Sequence, residues 1–186
     1  MFRVHTPDTA HDASKPTLHE ARENYGMIPN LYGVLAEEPA AVQAYAALND
    51  ALTDSGLSPA EQQVAILATS IENGCTYCVA AHSTIVKMQE LFDEATLEAL
   101  RAQESLPDER LEALRAFTVE VVRERGWVAQ GALQAFLDTG YEPRHVLAVV
   151  TVVAMKTLSN YTNHIADTPL DEAFAGQRWS KAAVPA

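Results

Sequence analysis

The sequence predicts an all-α fold, and three observations carry that prediction. Residues that begin and end helices recur along the chain, with capping boxes or prolines at the starts and glycines at the ends. Between them, apolar residues follow the three- and four-residue spacing of helices. No Pro-, Gly- or Ser-rich linker divides the 186 residues. We therefore predict a single domain over residues 1–186, with its core at about 17–175.

These start and end signals define the helices in order. Ser or Thr followed three residues later by Glu forms a capping box, and proline suits the first turn because its φ is already helical. The predicted helices are 17–25, 39–55, 58–73, 75–91, 93–103, 108–125, 128–139 and a long one that starts at 143. Thr17 with Glu20 is read as the first capping box. Only the tail after about Phe174 is predicted to be loosely structured.

The last long helix is the least obvious element, because residues 146–153 contain five valines, which favour strands. Pro143 suits a helix start, and no neighbouring segment offers a partner strand. We therefore interpret this run as a buried helix. The longest apolar stretch runs from Val146 to Met155 and is interrupted by Thr151. It is shorter than the ~18 apolar residues that a membrane span needs.

The composition is that of a soluble globular protein, with 48% hydrophobic residues, 20% charged residues and a formal net charge of −12. An acidic surface repels phosphate backbones and anionic lipids, so we expect no nucleic-acid or membrane partner. The N-terminal residues contain no apolar signal segment, so we expect a cytoplasmic protein. In that reducing compartment, a Cys-x-x-Cys pair indicates redox catalysis or metal binding rather than a structural disulfide.

Both cysteines lie in the segment NGCTYCVAAH, residues 73–82. Helical spacing places Cys75, Cys78 and His82 within an arc of about 60°. Asn73-Gly74 ends the preceding helix, so the cysteines begin the next one, where free N–H groups and the helix dipole stabilise a thiolate. A low-pKa thiol, a second thiol and a nearby base are what thiol–disulfide or peroxide chemistry requires.

Two other interpretations of the cysteines stay open from the spacing alone. One is that both are small core residues, since cysteine is among the most buried residue types. The other is a zinc site, in which His164 would complete a shell of two thiolates and His82. We favour the redox interpretation because the only two cysteines of the chain lie three positions apart beside a histidine.

The segment LSPAEQQVAILATSIENGCTYCVAAHS, residues 57–83, resembles the core of the alkylhydroperoxidase D (AhpD) and carboxymuconolactone decarboxylase superfamily. The matching signature is Leu-Ser/Thr-Pro followed by Asn-Gly-Cys-x-x-Cys-x-x-x-His. The later segment VVAMKTLSNYTNHIADTPLD, residues 152–171, resembles the peroxidase-related branch of that superfamily. This resemblance implies an all-helical, AhpD-like fold that assembles into trimers or hexamers.

The resemblance also implies a thiol peroxidase whose disulfide is reduced by a dithiol partner, of the lipoyl-protein or thioredoxin kind. In the family's scheme the second cysteine forms the sulfenic acid, which assigns that role to Cys78. The first cysteine is the proton donor and resolving thiol, which assigns those roles to Cys75. The histidine of the motif belongs to the proton relay, and it corresponds to His82.

Two relay positions differ from AhpD itself. Where AhpD has a glutamate twelve residues before the first cysteine, this chain has Gln63, which can hydrogen-bond but cannot accept a proton near neutral pH. Where AhpD has a histidine before the second cysteine, this chain has Tyr77. Glu72, three residues before Cys75, is a candidate replacement for the acid, although a solvated residue at a helix end is the simpler interpretation.

A polar cluster of Asn160, Tyr161, Asn163 and His164 follows the valine-rich segment. Such a cluster either lines a pocket near the thiols or satisfies polar groups at a helix end, and we favour the second interpretation. Within it, only His164 is a candidate for chemistry. The sequence contains no Gly-rich phosphate loop or dinucleotide motif, so we predict no cofactor and no metal.

The predicted function is a cysteine peroxidase that reduces hydrogen peroxide or organic hydroperoxides through its CxxC pair. Two alternatives stand beside it. A lactone-acid decarboxylase would follow the other arm of the superfamily, but its chemistry does not call for paired thiols. A non-enzymatic redox sensor would form the same disulfide without turnover.

Overall fold

A computed structural model describes residues 2–181, and it is helical with no β-strand in that range. The all-α prediction is therefore confirmed. The α-helices are α1 (Lys15–Tyr25), α2 (Asn30–Leu35), α3 (Pro39–Thr53), α4 (Pro59–Glu72), α5 (Thr76–Gln89), α6 (Glu94–Ala102), α7 (Glu109–Arg123), α8 (Gln130–Asp138) and α9 (Pro143–Ala166). Two short 3₁₀ helices, Asp12–Ser14 and Glu172–Gln177, lie near the two ends.

Helix α4 occupies the centre of the core. It packs against α5, α6, α7 and α9, and every residue from Val64 to Ile71 is buried. A helix that is apolar or small on all sides is stable only when other helices surround it. Because α5 and α9 both pack on α4, the start of α5 and the inner face of α9 meet inside the protein.

Helix α9 confirms the interpretation of the valine-rich run as a helix. Val149, Val152 and Met155 on its inner side are completely buried against the neighbouring helices. Its opposite side carries exposed apolar residues, and this outer stripe comprises Leu147, Val150, Ala154, Tyr161 and Ile165. Within residues 2–181, no helix combines the length and the apolar character needed to cross a bilayer.

The beginning of the chain differs from the prediction. Helix α1 starts at Lys15 with Ser14 as its N-cap, and Thr17 is a buried residue of the first turn, so the capping box read at Thr17 and Glu20 is wrong. Pro16 explains the earlier start, since proline is favoured in a first turn. Helix α2 was not predicted, because six residues are too few to show a helical period.

The prediction of a loose tail is also wrong for the residues described here. Residues 170–181, which we call the C-terminal strap, contain the 3₁₀ helix Glu172–Gln177, and that helix packs on α5. Arg101 Nη2 donates to Arg178 O at 3.0 Å, and Trp179 Nε1 donates to Arg101 O at 3.0 Å. Lys181 Nζ donates to Glu72 O at 2.9 Å. Residues 182–186 lie outside the described range.

Candidate active site

The two cysteines lie where one helix ends and the next begins. Gly74, at φ 71°, turns the chain after α4, a conformation that favours glycine. Gly74 N donates to Ile71 O at 3.0 Å and Cys75 N donates to Ser70 O at 2.8 Å, which together form a Schellman motif. Cys75 is then the N-cap of α5, and Cys78 lies in its first turn. Both side chains are buried.

The two sulfur atoms share their polar neighbours. Cys78 N donates to Cys75 Sγ at 3.4 Å, so the first sulfur accepts a helix-capping hydrogen bond. Asn163 of α9 reaches both thiols, with Nδ2 at 3.2 Å from Cys78 Sγ and 3.7 Å from Cys75 Sγ. The thiols therefore lie side by side under one amide donor, without a disulfide between them.

The surroundings shift the pKa values of the two thiols in opposite directions. Burial opposes ionisation of Cys78, but the hydrogen bond from Cys75, the positive charge of Lys156 and the amides of Asn160 and Asn163 outweigh it and lower the Cys78 pKa. The hydrogen bond to Cys78, together with burial, raises the pKa of Cys75. The arrangement therefore favours a thiolate at Cys78 and a protonated thiol at Cys75.

His82 connects α4, α5 and α9 through its two ring nitrogens. Gln63 Oε1 can only accept, so His82 Nδ1 donates to it, at 2.9 Å. Lys156 Nζ donates to His82 Nε2 at 3.1 Å. Burial and the neighbouring Lys156 charge hold the pKa of His82 well below its ordinary value, so the ring is neutral. Gln63, His82 and Lys156 thus form a hydrogen-bonded chain beside the thiols.

Lys156 was not among the predicted site residues. Its side chain is completely buried, and no carboxylate lies within ion-pair distance of it in the part of the chain that the structure describes. A buried ammonium group without a carboxylate partner is costly, and is usually retained for chemistry. One sequence signal could have identified it: Lys156 follows the buried Val149 by seven residues and Val152 by four, so it shares their inner face.

Asn160 and Asn163 were assigned to a polar cluster at a helix end, whereas the structure places both beside the thiols. They follow Lys156 by four and seven residues and so continue the same inner face of α9. Asn160 Oδ1 accepts from Asn73 Nδ2 at 2.9 Å, which connects α9 to the turn before Cys75. His164 lies on the exposed side of the helix, beside Tyr161.

The remaining candidates have other partners. Glu72 forms a two-point ion pair with Arg123 of α7, with N–O distances of 2.9 and 3.0 Å. Tyr77 donates its hydroxyl to the Asp171 carboxylate and accepts from Leu31 N at 3.2 Å. Burial and the bond to Asp171 raise the pKa of Tyr77, so it acts here as a neutral tether. Residues 2–181 contain no group of three or more His, Cys, Asp or Glu side chains suited to hold a metal ion.

A surface cleft of about 380 Å³ lies between the start of α5 and the C-terminal strap. Thr76 and Tyr77, the two residues between the cysteines, form part of its wall. The other lining residues are Thr168, Leu170, Arg178, Trp179 and Ser180. The thiols themselves are buried and do not line this cleft.

The sequence profile of the carboxymuconolactone decarboxylase family matches residues 39–120, which include the CxxC pair and His82. Over these residues the chain is similar to that family, in agreement with the expected resemblance to the AhpD-like and carboxymuconolactone decarboxylase superfamily. The search of curated proteins found no match. The family match supports an enzyme-like role at the level of the family.

Three solved structures share the fold. A peroxidase-related protein from Ralstonia eutropha JMP134, described as an alkylhydroperoxidase AhpD core, has a TM-score of 0.81 at 24% identity, over 93% of each chain. A peroxidase-related protein from Silicibacter sp. TM1040 has a TM-score of 0.79 at 20% identity, over 95% of this chain and 93% of that one. The debrominase Bmp8, with 2,3,4-tribromopyrrole bound, has a TM-score of 0.71 at 17% identity, over 88% of each chain. At these identities the likeness establishes the fold alone.

Proposed function

We propose that this protein is a thiol-dependent peroxidase that reduces hydrogen peroxide or an organic hydroperoxide. The observation that carries the proposal is the pairing of a stabilised thiolate at Cys78 with a protonated thiol at Cys75. A peroxidase needs both, one to attack the peroxide and one to resolve the product. Two structural core cysteines would need neither a buried lysine nor an amide directed at their sulfur atoms.

The reaction follows from these two protonation states. The Cys78 thiolate attacks one peroxide oxygen, so that an S–O bond forms, the O–O bond breaks and two electrons pass from sulfur to the peroxide. The leaving oxygen takes the Cys75 proton and departs as water or an alcohol. The Cys75 thiolate then attacks the Cys78 sulfenic acid and forms the disulfide, and the released hydroxide takes a proton to become water.

We assign the proton supply to the chain formed by Lys156, His82 and Gln63. Gln63 fixes the orientation of His82 by accepting from Nδ1, which leaves Nε2 facing Lys156. The charge of Lys156 then stabilises the Cys78 thiolate, and its N–H groups can deliver the proton that the hydroxide needs. Lys156 thereby takes over the part that the missing glutamate plays in AhpD.

The disulfide must be reduced for turnover, and we propose a dithiol reductant of the lipoyl-protein or thioredoxin kind. A dithiol reduces the disulfide by exchange and leaves with the oxidised pair, so the enzyme needs no cofactor of its own. The cleft is lined by Thr76 and Tyr77, the two residues between the cysteines, and we assign the approach of the reductant to it.

The test is a peroxidase assay with hydrogen peroxide or cumene hydroperoxide and with dihydrolipoamide as reductant. Wild type, Cys78→Ser and Cys75→Ser are compared, and a dimedone-type probe traps sulfenic acid. We expect sustained turnover in the wild type, none in Cys78→Ser, and a trapped sulfenic acid at Cys78 in Cys75→Ser.

Other outcomes select the alternatives. A disulfide that forms once and is not reduced by any dithiol would identify a redox sensor. Unchanged thiols after peroxide treatment would reject the peroxidase proposal and favour a lactone-acid decarboxylase. Sulfenic acid trapped at Cys75 in Cys78→Ser would reverse the roles of the two thiols.

We also propose that the protein forms a homo-oligomer through the outer stripe of α9. Its exposed apolar residues at 147, 150, 154 and 161 follow heptad spacing, and Ile165 lies one helical turn beyond Tyr161, which suits pairing with another helix. An antiparallel second copy sets Leu147 against the partner subunit's Ile165 and brings Arg144 near the partner subunit's Asp167. This two-fold contact fits the expected hexamer, whereas a trimer built on a three-fold axis alone lacks it.

The oligomer proposal is tested by the molecular mass in solution. We expect the wild type to have an even multiple of the 20.2 kDa chain mass, and Ile165→Glu to lower it because the variant buries a charge in the contact. The matched control is Met88→Glu, which charges an equally exposed apolar residue outside the stripe. An unchanged mass in Ile165→Glu would reject the contact.

A further inference from the structure

The ammonium group of Lys156 is completely buried and has few polar neighbours. In the part of the chain that the structure describes, its only side-chain hydrogen bond is the one from Nζ to His82 Nε2, at 3.1 Å. The adjacent helices α4 and α7 carry acids, but these form ion pairs with arginines of α7, as do Glu61, Glu72 and Glu112. No described carboxylate therefore balances the charge of Lys156.

The other titratable groups around this ammonium group come from α2, α3 and α5, which all pack on α9. His82 is neutral, and so are Tyr32 of α2 and Tyr45 of α3, because burial raises the pKa of both tyrosines. Cys75 keeps its proton. The Cys78 thiolate is thus the one negative charge among these described groups, and the ammonium charge helps to lower its pKa. The reduced site holds one buried anion and one buried cation.

Disulfide formation removes the anion of this pair. Once Cys75 and Cys78 are joined, both sulfur atoms are neutral, and a charged Lys156 would remain as a buried cation without a counter-charge. Such a charge is costly, and a buried lysine responds by losing its proton. The same reaction needs one proton, because the hydroxide released from the sulfenic acid has to become water. The loss of charge at Lys156 and the demand for a proton therefore coincide.

We propose that Lys156 carries its extra proton only while Cys78 is a thiolate, and gives it up when the disulfide forms. The oxidation then balances without solvent: one thiolate, one thiol, one ammonium group and one organic hydroperoxide become a disulfide, an amine, an alcohol and water. Reduction by a dithiol returns one proton to Cys75 and the other to Lys156, and restores the thiolate. This inference rests on the proposed redox function of the two cysteines.

The test counts the protons that the protein takes up from solvent when the disulfide forms. Reduced protein in weak buffer with a pH indicator is oxidised by one equivalent of diamide, which accepts two electrons and two protons and requires no peroxidase activity. The pH is set above the inflection of iodoacetamide alkylation, so that Cys78 is a thiolate. We expect the wild type to take up no proton per disulfide. Uptake of one proton would mean that Lys156 stays charged, and would overturn the proposal.

The decisive variant is Lys156→Arg, which keeps a positive charge beside Cys78 but has no proton to release, because a guanidinium group does not lose its proton in proteins. We expect this variant to take up one proton for each disulfide. The matched control is Lys87→Arg, the same change on the surface of α5, which should behave as the wild type does. If Lys156→Arg took up no proton although its Cys78 was ionised, Lys156 would not be the proton source.

The reduction potential of the wild type, measured against dithiothreitol at several pH values, gives a second test without any substitution. Each proton taken up on reduction changes the equilibrium constant tenfold per pH unit, which is about 30 mV for a two-electron couple. We expect two protons and thus about 60 mV per pH unit, while Cys78 is ionised. A slope of about 30 mV would overturn the proposal. The expected slope in a protein that no hydroperoxide oxidises would support the role of Lys156 and overturn the peroxidase function.

Discussion

Helices α4 and α5 differ in the residues at their N-cap and third helical positions, which are the two positions of a capping box. In α4, Ser58 is the N-cap and Glu61 the third helical residue, and they form a closed capping box. Glu61 N donates to Ser58 Oγ at 3.3 Å, and Ser58 N donates back to Glu61 Oε2 at 2.8 Å. Both side chains are thus committed to holding the helix end.

In α5, Cys75 is the N-cap and Cys78 the third helical residue, but the box is only half formed. Cys78 N donates to Cys75 Sγ, whereas Cys75 N is already bonded to Ser70 O in the Schellman motif that ends α4. The Cys78 sulfur therefore has no capping role and is available to the donors of α9. When both hydrogen bonds of the capping box form, as in α4, the two side chains stabilise the helix start. When only one forms, as in α5, the side chain of the third helical residue is left free to react.

The largest expected effect comes from removing the charge next to the free sulfur. In Lys156→Met we expect the Cys78 pKa to rise, so that alkylation by iodoacetamide at pH 7 slows at least ~10-fold for each unit of pKa above neutrality. The free energy of unfolding should stay the same or increase, because the variant no longer buries an ammonium group. Rates are measured against pH, with mass spectrometry to locate the label.

The control for Lys156→Met is Lys87→Met. Lys87 lies on the surface of α5, where it is paired with Glu94. We expect Lys87→Met to leave the alkylation profile unchanged. If Lys156→Met also kept the wild-type inflection, Lys156 would have no influence on the thiolate, and the half-formed cap alone would account for its stability.

An intermediate effect, on stability rather than reactivity, is expected at α4. Burial works against the Glu61 charge, but hydrogen bonds from Ser58, Tyr141 and Arg110 outweigh it and hold the Glu61 pKa below its ordinary value. This stabilisation is present above the unfolded pKa of about 4.3 and is lost as the pH falls through the folded value. We expect Glu61→Gln to lower the free energy of unfolding by about 1 kcal/mol at pH 7.

Urea unfolding at several pH values checks this prediction. The difference between Glu61→Gln and wild type should shrink as the pH falls below 4.3, since the wild-type carboxylate is then protonated too. Alkylation of Cys78 should be unaffected throughout. A change in thiol reactivity would show that the two helix starts are coupled, so that the start of α4 would affect the Cys78 thiol as well as helix stability.

The smallest effect is expected at the sulfur cap itself. Replacing Cys75 by Ala removes the acceptor for Cys78 N, whereas Cys75→Ser keeps one. Since an N-cap acceptor contributes roughly 0.5–2 kcal/mol and sulfur is a weak acceptor, we expect Cys75→Ala to be less stable than the wild type by no more than about 1 kcal/mol, and Cys75→Ser to lose less than Cys75→Ala. Unfolding is measured under reducing conditions. Equal stabilities would mean that the sulfur contributes no cap.

The sequence predicted most of the fold because local signals coincide with helix ends. Ser58, Pro143 and Asn73-Gly74 act within one or two turns of chain, and the structure has helix ends at or beside all three. Helix α2 lacks such signals and depends on tertiary packing, as shown by Gly33, where a Cβ would come within 2.8 Å of His5 O. The strap is likewise ordered by distant partners, such as Arg101, that no local pattern reveals.

The candidate site was predictable on α5 and largely hidden on α9. Cys75, Cys78 and His82 share one short motif, so their proximity follows from helix geometry. Lys156 lies 74 residues from His82, and a lysine in an apolar helix is normally taken to face solvent. His164, the residue preferred from its chemistry, lies one position and about 100° beyond Asn163, which is enough to place it outside.

The position of Asp171 near the end of the chain affects the order in which the surroundings of the thiols are synthesised. Its carboxylate accepts from Tyr77 and from Asn30 N, contacts that join residues 94 and 141 positions apart, and so holds the strap against the start of α5. A ribosome releases the cysteines well before it releases Asp171, and domains fold as the chain emerges. The CxxC pair therefore emerges before α9 and the strap, so the thiols exist in the nascent chain before Asn163 and the Asp171 tether can contact this helix start.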